Sequence, residues 1–207
     1  MSSSYKYIET NYTYLDVKTG ILRNLQEITD PDELLFFESG AVTKRLQQLY
    51  ENPIKIKGIK SLFEIHKHLF QDIYDWAGKQ RVVEISKDGK QFLPTTHFEN
   101  AYNYIDAIIA EFKKVSKKDK KKLAMKLAEI LDNVNYLHPF REGNGRTQRE
   151  FVRSLAFQKG LILNLNPPDN KSIYERYIKG SIDSNLTILT ELILELIETG
   201  PANKNVA

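Results

Sequence analysis

Cysteine is absent from all 207 residues, which excludes disulfides, thiolate metal sites, iron–sulfur clusters and a cysteine nucleophile together. A reducing compartment fits that usage. Long apolar runs are missing as well: no stretch approaches the roughly 18 to 20 residues needed to cross a bilayer. The opening Met1-Ser2-Ser3-Ser4-Tyr5-Lys6-Tyr7 has no apolar centre of the kind a secretory signal carries. The chain therefore reads as a soluble, cytoplasmic protein with no membrane partner, although a secretion signal of another kind would leave no mark here. Charge of one sign is also scarce. The 30 Lys and Arg against 27 Asp and Glu leave +3, too little to imply direct nucleic-acid binding.

What is present is an apolar inventory sufficient for a packed core: 41% hydrophobic residues, with 10 Phe, 11 Tyr and 1 Trp, which argues against disorder. Asp30-Pro31, a cap residue followed by proline at the first helical position, opens a first helix running to Tyr50. A second, after Gly58, carries the stripe Ile59, Leu62, Phe63, Leu69, Phe70, Ile73 and Trp76 and is expected to stop at Gly78. Between about Arg81 and Pro94 the period changes. Val82, Val83 and Ile85 on one side of an Asp-Gly turn, with Phe92 and Leu93 on the other, spell a β-hairpin.

Thr96…Glu99 reads as a capping box for a third helix. A lysine connector (Lys113 to Lys122) lacks interleaved aromatics, so it reads as solvated loop rather than a nucleic-acid patch. A fourth helix delivers the chain to His138, and a fifth spans roughly 144–158. Ser172…Glu175 suggests a capping box for a sixth, and Ser184 a cap for a seventh. The expected fold is mainly α: a single helical domain of roughly six to eight helices with a short β-hairpin flap.

The chemistry is concentrated in His138-Pro-Phe-Arg-Glu142-Gly-Asn144-Gly-Arg146-Thr-Gln-Arg149, at the junction of one helix end and the next helix start. Free N–H groups of the Gly143-Asn144-Gly145 turn and the first helical turn, aided by the helix dipole, suit an anion. Glycine at 143 and 145 allows the backbone to curl close to phosphate oxygens. Arg146 and Arg149, three apart, can address one polyphosphate from the same helix face. Glu142 is a hard oxygen ligand placed where Mg²⁺ sits when one carboxylate and substrate oxygens hold it. His138 is suited to taking a hydroxyl proton near neutral pH.

Blander readings exist: His138 as a helix cap, Glu142 with Arg141 and Arg146 as a surface ion-pair cluster, or a zinc site. The cluster explains neither glycine, and His66, His68 and His97 have no ligand spacing. His66 falls in an apolar stripe and reads as a core histidine, whereas His68 reads as solvated.

The segment resembles the signature of Fic (filamentation induced by cAMP) domains, His-x-Phe-x-(Asp/Glu)-Gly-Asn-Gly-Arg-x-x-Arg. Every defined position is filled, by His138, Phe140, Glu142, Gly143, Asn144, Gly145, Arg146 and Arg149. The resemblance covers residues 55–200, with 1–54 an N-terminal arm and first helix and 201–207 a disordered tail. It implies a protein adenylyltransferase, which transfers AMP from Mg-ATP to a Tyr, Ser or Thr hydroxyl of a target protein. Family precedents act on type II topoisomerase subunits or small GTPases.

On that resemblance His138 is the base, Glu142 the Mg²⁺ ligand, Asn144 with the nest amides the α-phosphate site, and Arg146 and Arg149 the β,γ-phosphate ligands. Gly145, where the kinase-like Doc branch has lysine, fits presentation of the α-phosphate. Tyr174 and Tyr177 are candidates for the adenine pocket, and Ile85, Phe92 and Leu93 for a flap that docks the target segment. A catalytically inactive nucleotide- or partner-binding module is the alternative.

Many members are silenced by a helix bearing (Ser/Thr)-x-x-x-Glu-(Gly/Asn). Thr95…Glu99-Asn100 matches but reads as a cap, and Thr187…Glu191 is followed by Leu192. With no well-placed inhibitory helix in either flank, the resemblance favours a toxin whose silencing glutamate comes from a separate small antitoxin, the alternative being a degenerate C-terminal inhibitory helix around Glu191.

Overall fold

The computed structural model describes residues 12–87 and 89–199. Seven α-helices build the described part: α1 (Pro31–Glu51), α2 (Lys60–Phe70), α3 (Phe98–Lys114), α4 (Lys120–Leu137), α5 (Asn144–Gln158), α6 (Lys171–Ile182) and α7 (Leu186–Leu196). The short strands β1 (Ser86–Lys87) and β2 (Lys90–Gln91) form an antiparallel hairpin. A second pair, β3 (Leu161–Ile162) with β4 (Glu198–Thr199), had no sequence signal of its own. Among the described residues no helix is long and apolar enough to cross a membrane.

α4 is the central post. Its Leu123, Leu127, Ile130, Leu131, Val134 and Leu137 are all buried, and α3, α5 and α7 pack around it. Each such side chain removed from water stabilises the fold by about 1.5–3 kcal/mol before chain entropy is counted. α1 lies against α2, and α2 against α5. The arm braces this core: Tyr14 meets Trp76 edge-on at 5.5 Å and accepts a hydrogen bond from the Val82 N–H, while the Leu25 N–H bonds to the Ile73 carbonyl. Residues 1–11 of the arm and the 201–207 tail lie outside the described residues.

Helix starts follow side-chain chemistry only where tertiary contacts permit. The Asp30 carboxylate accepts from the Asp32 and Glu33 amides as its sequence suggests, and Asn185, rather than Ser184, caps α7 through the Ile188 amide. Neither capping box forms. Glu84 takes the Thr95 amide and hydroxyl, and a 3₁₀ turn over Thr95–His97 leads into α3; Ser172 bonds to Asn170 instead of capping α6. α2 ends at Phe70, not Gly78. The chain continues in successive tight turns that keep Ile73, Tyr74 and Trp76 buried without helix.

The hairpin ladder is shorter than the β-branched runs because the Arg81 guanidinium lies between them. It donates to the Val83 and Leu93 carbonyls, 2.6 Å each, which therefore do not pair with the opposite run.

His66 is a fully buried core histidine, stacked 3.7 Å from the Phe140 ring and 4.6 Å from Phe70. Its Nδ1 accepts from the Gly78 N–H, so Nε2 carries the hydrogen and donates to the Glu142 carbonyl at 3.0 Å. His68, read as solvated, is instead half-buried, with an Nε2 that finds no hydrogen-bond partner among the described residues. Replacing His66 by Leu strands a buried N–H and a buried carbonyl at once. A loss of about 2–4 kcal/mol in unfolding free energy is expected by denaturant titration, and a loss under about 0.5 kcal/mol would show these bonds to be dispensable.

Candidate active site

Pro139 disfavours the helical conformation at the residue before it, so α4 stops at His138, which turns left-handed at φ 42°, ψ 60°. That conformation costs a non-glycine residue about 1–2 kcal/mol, and persists only where the surroundings impose it. Arg81, 1% exposed, imposes it here. Its Nε donates to the His138 carbonyl at 2.9 Å and its amide to the Pro139 carbonyl at 2.7 Å.

His138 Nδ1 lies 3.1 Å from the Asn135 carbonyl, which can only accept. Nδ1 therefore holds the proton and Nε2 is the basic nitrogen. The Phe92 ring stacks on the imidazole at 3.6 Å and 13°. Burial, with Arg81 and Lys87 adding positive charge nearby, lowers the imidazole pKa to about 3.

The loop from Phe140 to Asn144 is closed by the Asn144 side chain. Its Oδ1 accepts from the Phe140 amide (3.0 Å) and its Nδ2 donates to the Phe140 carbonyl (2.8 Å). Gly143 is left-handed at φ 81°, and a Cβ there would fall 2.3 Å from the Phe70 ring. Gly145 is less constrained: a Cβ there would only press on the mobile end of Arg149, 3.3 Å from Nη1. The first intrahelical bond of α5 runs from the Thr147 amide to the Gly143 carbonyl. The three preceding amides are thus left over, the ordinary condition of a helix start and one that favours an anion.

A cavity of about 550 Å³ brings together His138, Glu142, Asn144, Gly145, Arg149, Tyr174 and Tyr177. Arg149 lies 5.4 Å from both tyrosine rings, and among the described residues no carboxylate pairs with it. Arg146 behaves differently. It turns towards α1, where Nη2 meets Glu38 Oε1 at 2.5 Å, with Glu142 Oε1 farther off at 3.5 Å. It lines not this cavity but an adjoining groove of about 580 Å³ between the arm and α1, which shares Glu142, Gly145, Arg149 and Tyr174 with the cavity.

Tyr177 is buried and takes a 2.5 Å bond from Gln148 Nε2, while Tyr174 is half-buried at the rim. On the flap, Phe92 covers His138 and the Leu93 amide bonds to the Tyr136 carbonyl, but the Ile85 side chain is buried in the core. Lys90 Nζ reaches the Ile182 carbonyl at 3.0 Å, so the hairpin closes one side of the cavity.

Burial raises the Glu142 carboxyl above the usual range, against the pull of Arg146. Oε1 accepts from the Gly143 amide at 2.8 Å. Among the described residues nothing donates to Oε2, and no group of three or more His, Asp and Glu could cage a metal. A single carboxylate beside an anion cradle fits Mg²⁺, which draws the rest of its shell from phosphate oxygens and water.

Residues 58–156 match the Fic/DOC family. A relative named "Probable protein adenylyltransferase y4lH", from Sinorhizobium fredii, is 31% identical over 181 residues, covering 86% of this chain and 92% of its own length. The chain belongs to the Fic/DOC family. "Protein adenylyltransferase VbhT" from Bartonella schoenbuchensis is 32% identical over 202 residues; these span 97% of this chain but only 42% of VbhT. The crystal structure of BepC with bound AMPPNP, from Bartonella tribocorum, shares the fold at TM-score 0.77 and 18% identity, over 92% of this chain and 98% of BepC.

Sequence reading did not single out Glu38, Tyr74, Arg81, Asn135 or Gln148. Only Glu38 left a trace: a carboxylate four residues from both Leu34 and Val42, in the seam that buries them.

The two buried histidines make stability pH-dependent. His66 and His138 are both lowered to about 3 in the fold, whereas unfolded imidazole titrates near 6.5. Between those values the unfolded chain binds more protons, so stability falls as pH drops through that window. Denaturation midpoints should decline steadily from pH 7 to pH 4, and a flat series would contradict neutral burial. Gly143→Ala should cost about 2 kcal/mol or more through positive φ and the clash with Phe70, read as a lower midpoint; an unchanged midpoint would show that the loop tolerates a Cβ.

Proposed function

We propose that this family member is a protein adenylyltransferase, transferring AMP from Mg-ATP to a hydroxyl of a target protein. The observation that carries the reading is the placement, in one cavity, of an imidazole Nε2, helix-start amides and an arginine that have no hydrogen-bond or carboxylate partner among the described residues. Such a site holds a polyphosphate and deprotonates an alcohol beside it.

In the transfer, His138 Nε2 takes the acceptor proton, the freed oxygen attacks the α-phosphorus, and the bond to the β-phosphate oxygen breaks to release pyrophosphate. Catalysis is alignment plus charge stabilisation, as in phosphoryl transfer generally. The α5 amides and Arg149 grip the phosphates, Tyr174 and Tyr177 flank the base, and Asn144 keeps the loop closed. Glu142 would hold Mg²⁺, which supplies charge neutralisation on the phosphates. A low apo pKa does not disable His138, because bound phosphates bring negative charge towards the ring and raise its proton affinity.

The target segment meets the hairpin by strand addition at its edge, with Phe92 beside the base and Leu93 the next residue along the flap. The acceptor is a Tyr, Ser or Thr. The chain works in a reducing cytoplasm, that of the producing cell or, after secretion, of another.

Silencing by a separate small antitoxin, as in a toxin–antitoxin pair, accords with two features. Glu99 and Glu191 are exposed and neither pairs with Arg149 among the described residues. The groove along α1 opens from Arg149 past Leu34 and Leu35, with Phe36 83% exposed nearby. That surface suits an amphipathic helix carrying one carboxylate.

The test is label transfer from α-labelled ATP with Mg²⁺ to candidate proteins or to the chain itself. His138→Ala should reduce it by about 100-fold or more, and Arg149→Ala should raise the KM for ATP about tenfold or more. Labelling unaffected by His138→Ala would remove the base from this role. ATP binding without any transfer would favour an inactive nucleotide-binding module.

A further inference from the structure

Along α1 the buried positions run Leu34, Glu38, Val42 and Leu49. Glu38 is 6% exposed and occupies a place where the seam calls for an apolar side chain. A carboxylate taken out of water there costs several kcal/mol unless it is paired and hydrogen-bonded. It is both. Oε1 accepts from Arg146 Nη2 and Oε2 from the Tyr74 hydroxyl, each at 2.5 Å. Burial and then the Glu38 charge push the Tyr74 hydroxyl pKa up, which keeps it a donor. Arg146 also lies over the Phe70 ring at 4.8 Å, the ring that a side chain at 143 would strike.

The consequence falls on Glu142. Arg146 Nη2 is shared between two carboxylates, and the nearer is Glu38. While Glu38 holds the guanidinium, Glu142, which lines the cavity, keeps an oxygen to which nothing among the described residues donates. Without Glu38, Arg146 would be left with Glu142 as its carboxylate partner among the described residues, and the fork geometry favours a two-bond pair that would occupy both Glu142 oxygens.

We infer that Glu38, on a helix outside the family-matching residues 58–156, is a positioning residue for the transfer site: it restrains Arg146 so that Glu142 stays free to hold a divalent cation. The inference rests on the adenylyltransferase reading and its assignment of Glu142. It makes α1 a working part of the site and separates two arginines that look equivalent in the motif, Arg149 for the phosphates and Arg146 for the carboxylate pair.

The experiment measures Mn²⁺ binding by electron paramagnetic resonance in the presence of a non-hydrolysable ATP analogue, since Mn²⁺ takes the same oxygen ligands as Mg²⁺. Glu38→Gln keeps shape and an acceptor for Tyr74 but removes the charge. It should weaken Mn²⁺ binding about tenfold, while metal-free nucleotide binding stays unchanged. The double variant Glu38→Gln with Arg146→Met removes the pair together, which folds tolerate far better than removal of one partner. It should regain Mn²⁺ affinity to within about threefold of wild type, an effect that mere structural damage would not produce.

Wild-type Mn²⁺ affinity in Glu38→Gln overturns the inference, as does a double variant no better than the single one. A wild-type chain that binds no Mn²⁺ with nucleotide overturns the adenylyltransferase reading first, and the inference with it.

Discussion

The site depends on one constraint: a helix that must end at His138 and restart at Asn144 in the space of a single tight loop. Proline stops the first helix and a left-handed glycine starts the second. Neither would hold its conformation alone, since each takes a backbone shape that sterics oppose or leave free. Three buried polar side chains lock the loop. Arg81 holds the His138 carbonyl with its guanidinium, its own amide adding a bond to the Pro139 carbonyl, Asn144 clasps both backbone groups of Phe140, and His66 donates to the Glu142 carbonyl. Because each lock is also a buried group that needs that partner, loop geometry and fold stability are the same property.

From that lock the chemistry follows in order. Fixing the His138 backbone puts its ring against Phe92 and its Nδ1 on Asn135, leaving Nε2 as the base. Fixing Gly143 aims the start of α5 into the cavity, so that backbone amides rather than mobile side chains meet an anion. Charge is then divided. Arg149 stands over two tyrosines without a carboxylate among the described residues, while Arg146 is committed to Glu38 and Glu142. A site that must accept a polyanion and a divalent cation needs both a free guanidinium and a free carboxylate, and the division supplies one of each.

Much of this was legible in the sequence, and the limits have physical causes. The eight motif residues declare the loop because their chemistry is local: glycines at a turn, a proline after a helix, charges at a helix start. Core helices such as α4 were legible from their apolar period. Asp30 was legible as a cap because its acceptors lie two and three residues away.

What failed was what tertiary contact decides. Thr96 and Ser172 fit a capping pattern, yet Glu84 draws the preceding Thr95 into a 3₁₀ turn and Asn170 takes the Ser172 hydroxyl. The hairpin runs looked like strands until a guanidinium from Arg81 took their carbonyls. Glu38 shows in the sequence only as a carboxylate in an apolar seam and Arg81 not at all, because the partners that give them a role at the site, Arg146 and the His138 carbonyl, stand 108 and 57 positions away in the chain.

A crystal structure of the chain with Mg²⁺ and a non-hydrolysable ATP analogue tests the central claim most directly. The expected result places the phosphates on the amides of residues 144–146 and the Arg149 guanidinium, with the α-phosphorus on the side of His138 Nε2 and the base beside Tyr174. A nucleotide seated elsewhere, or one whose α-phosphate points away from the imidazole, would contradict the account.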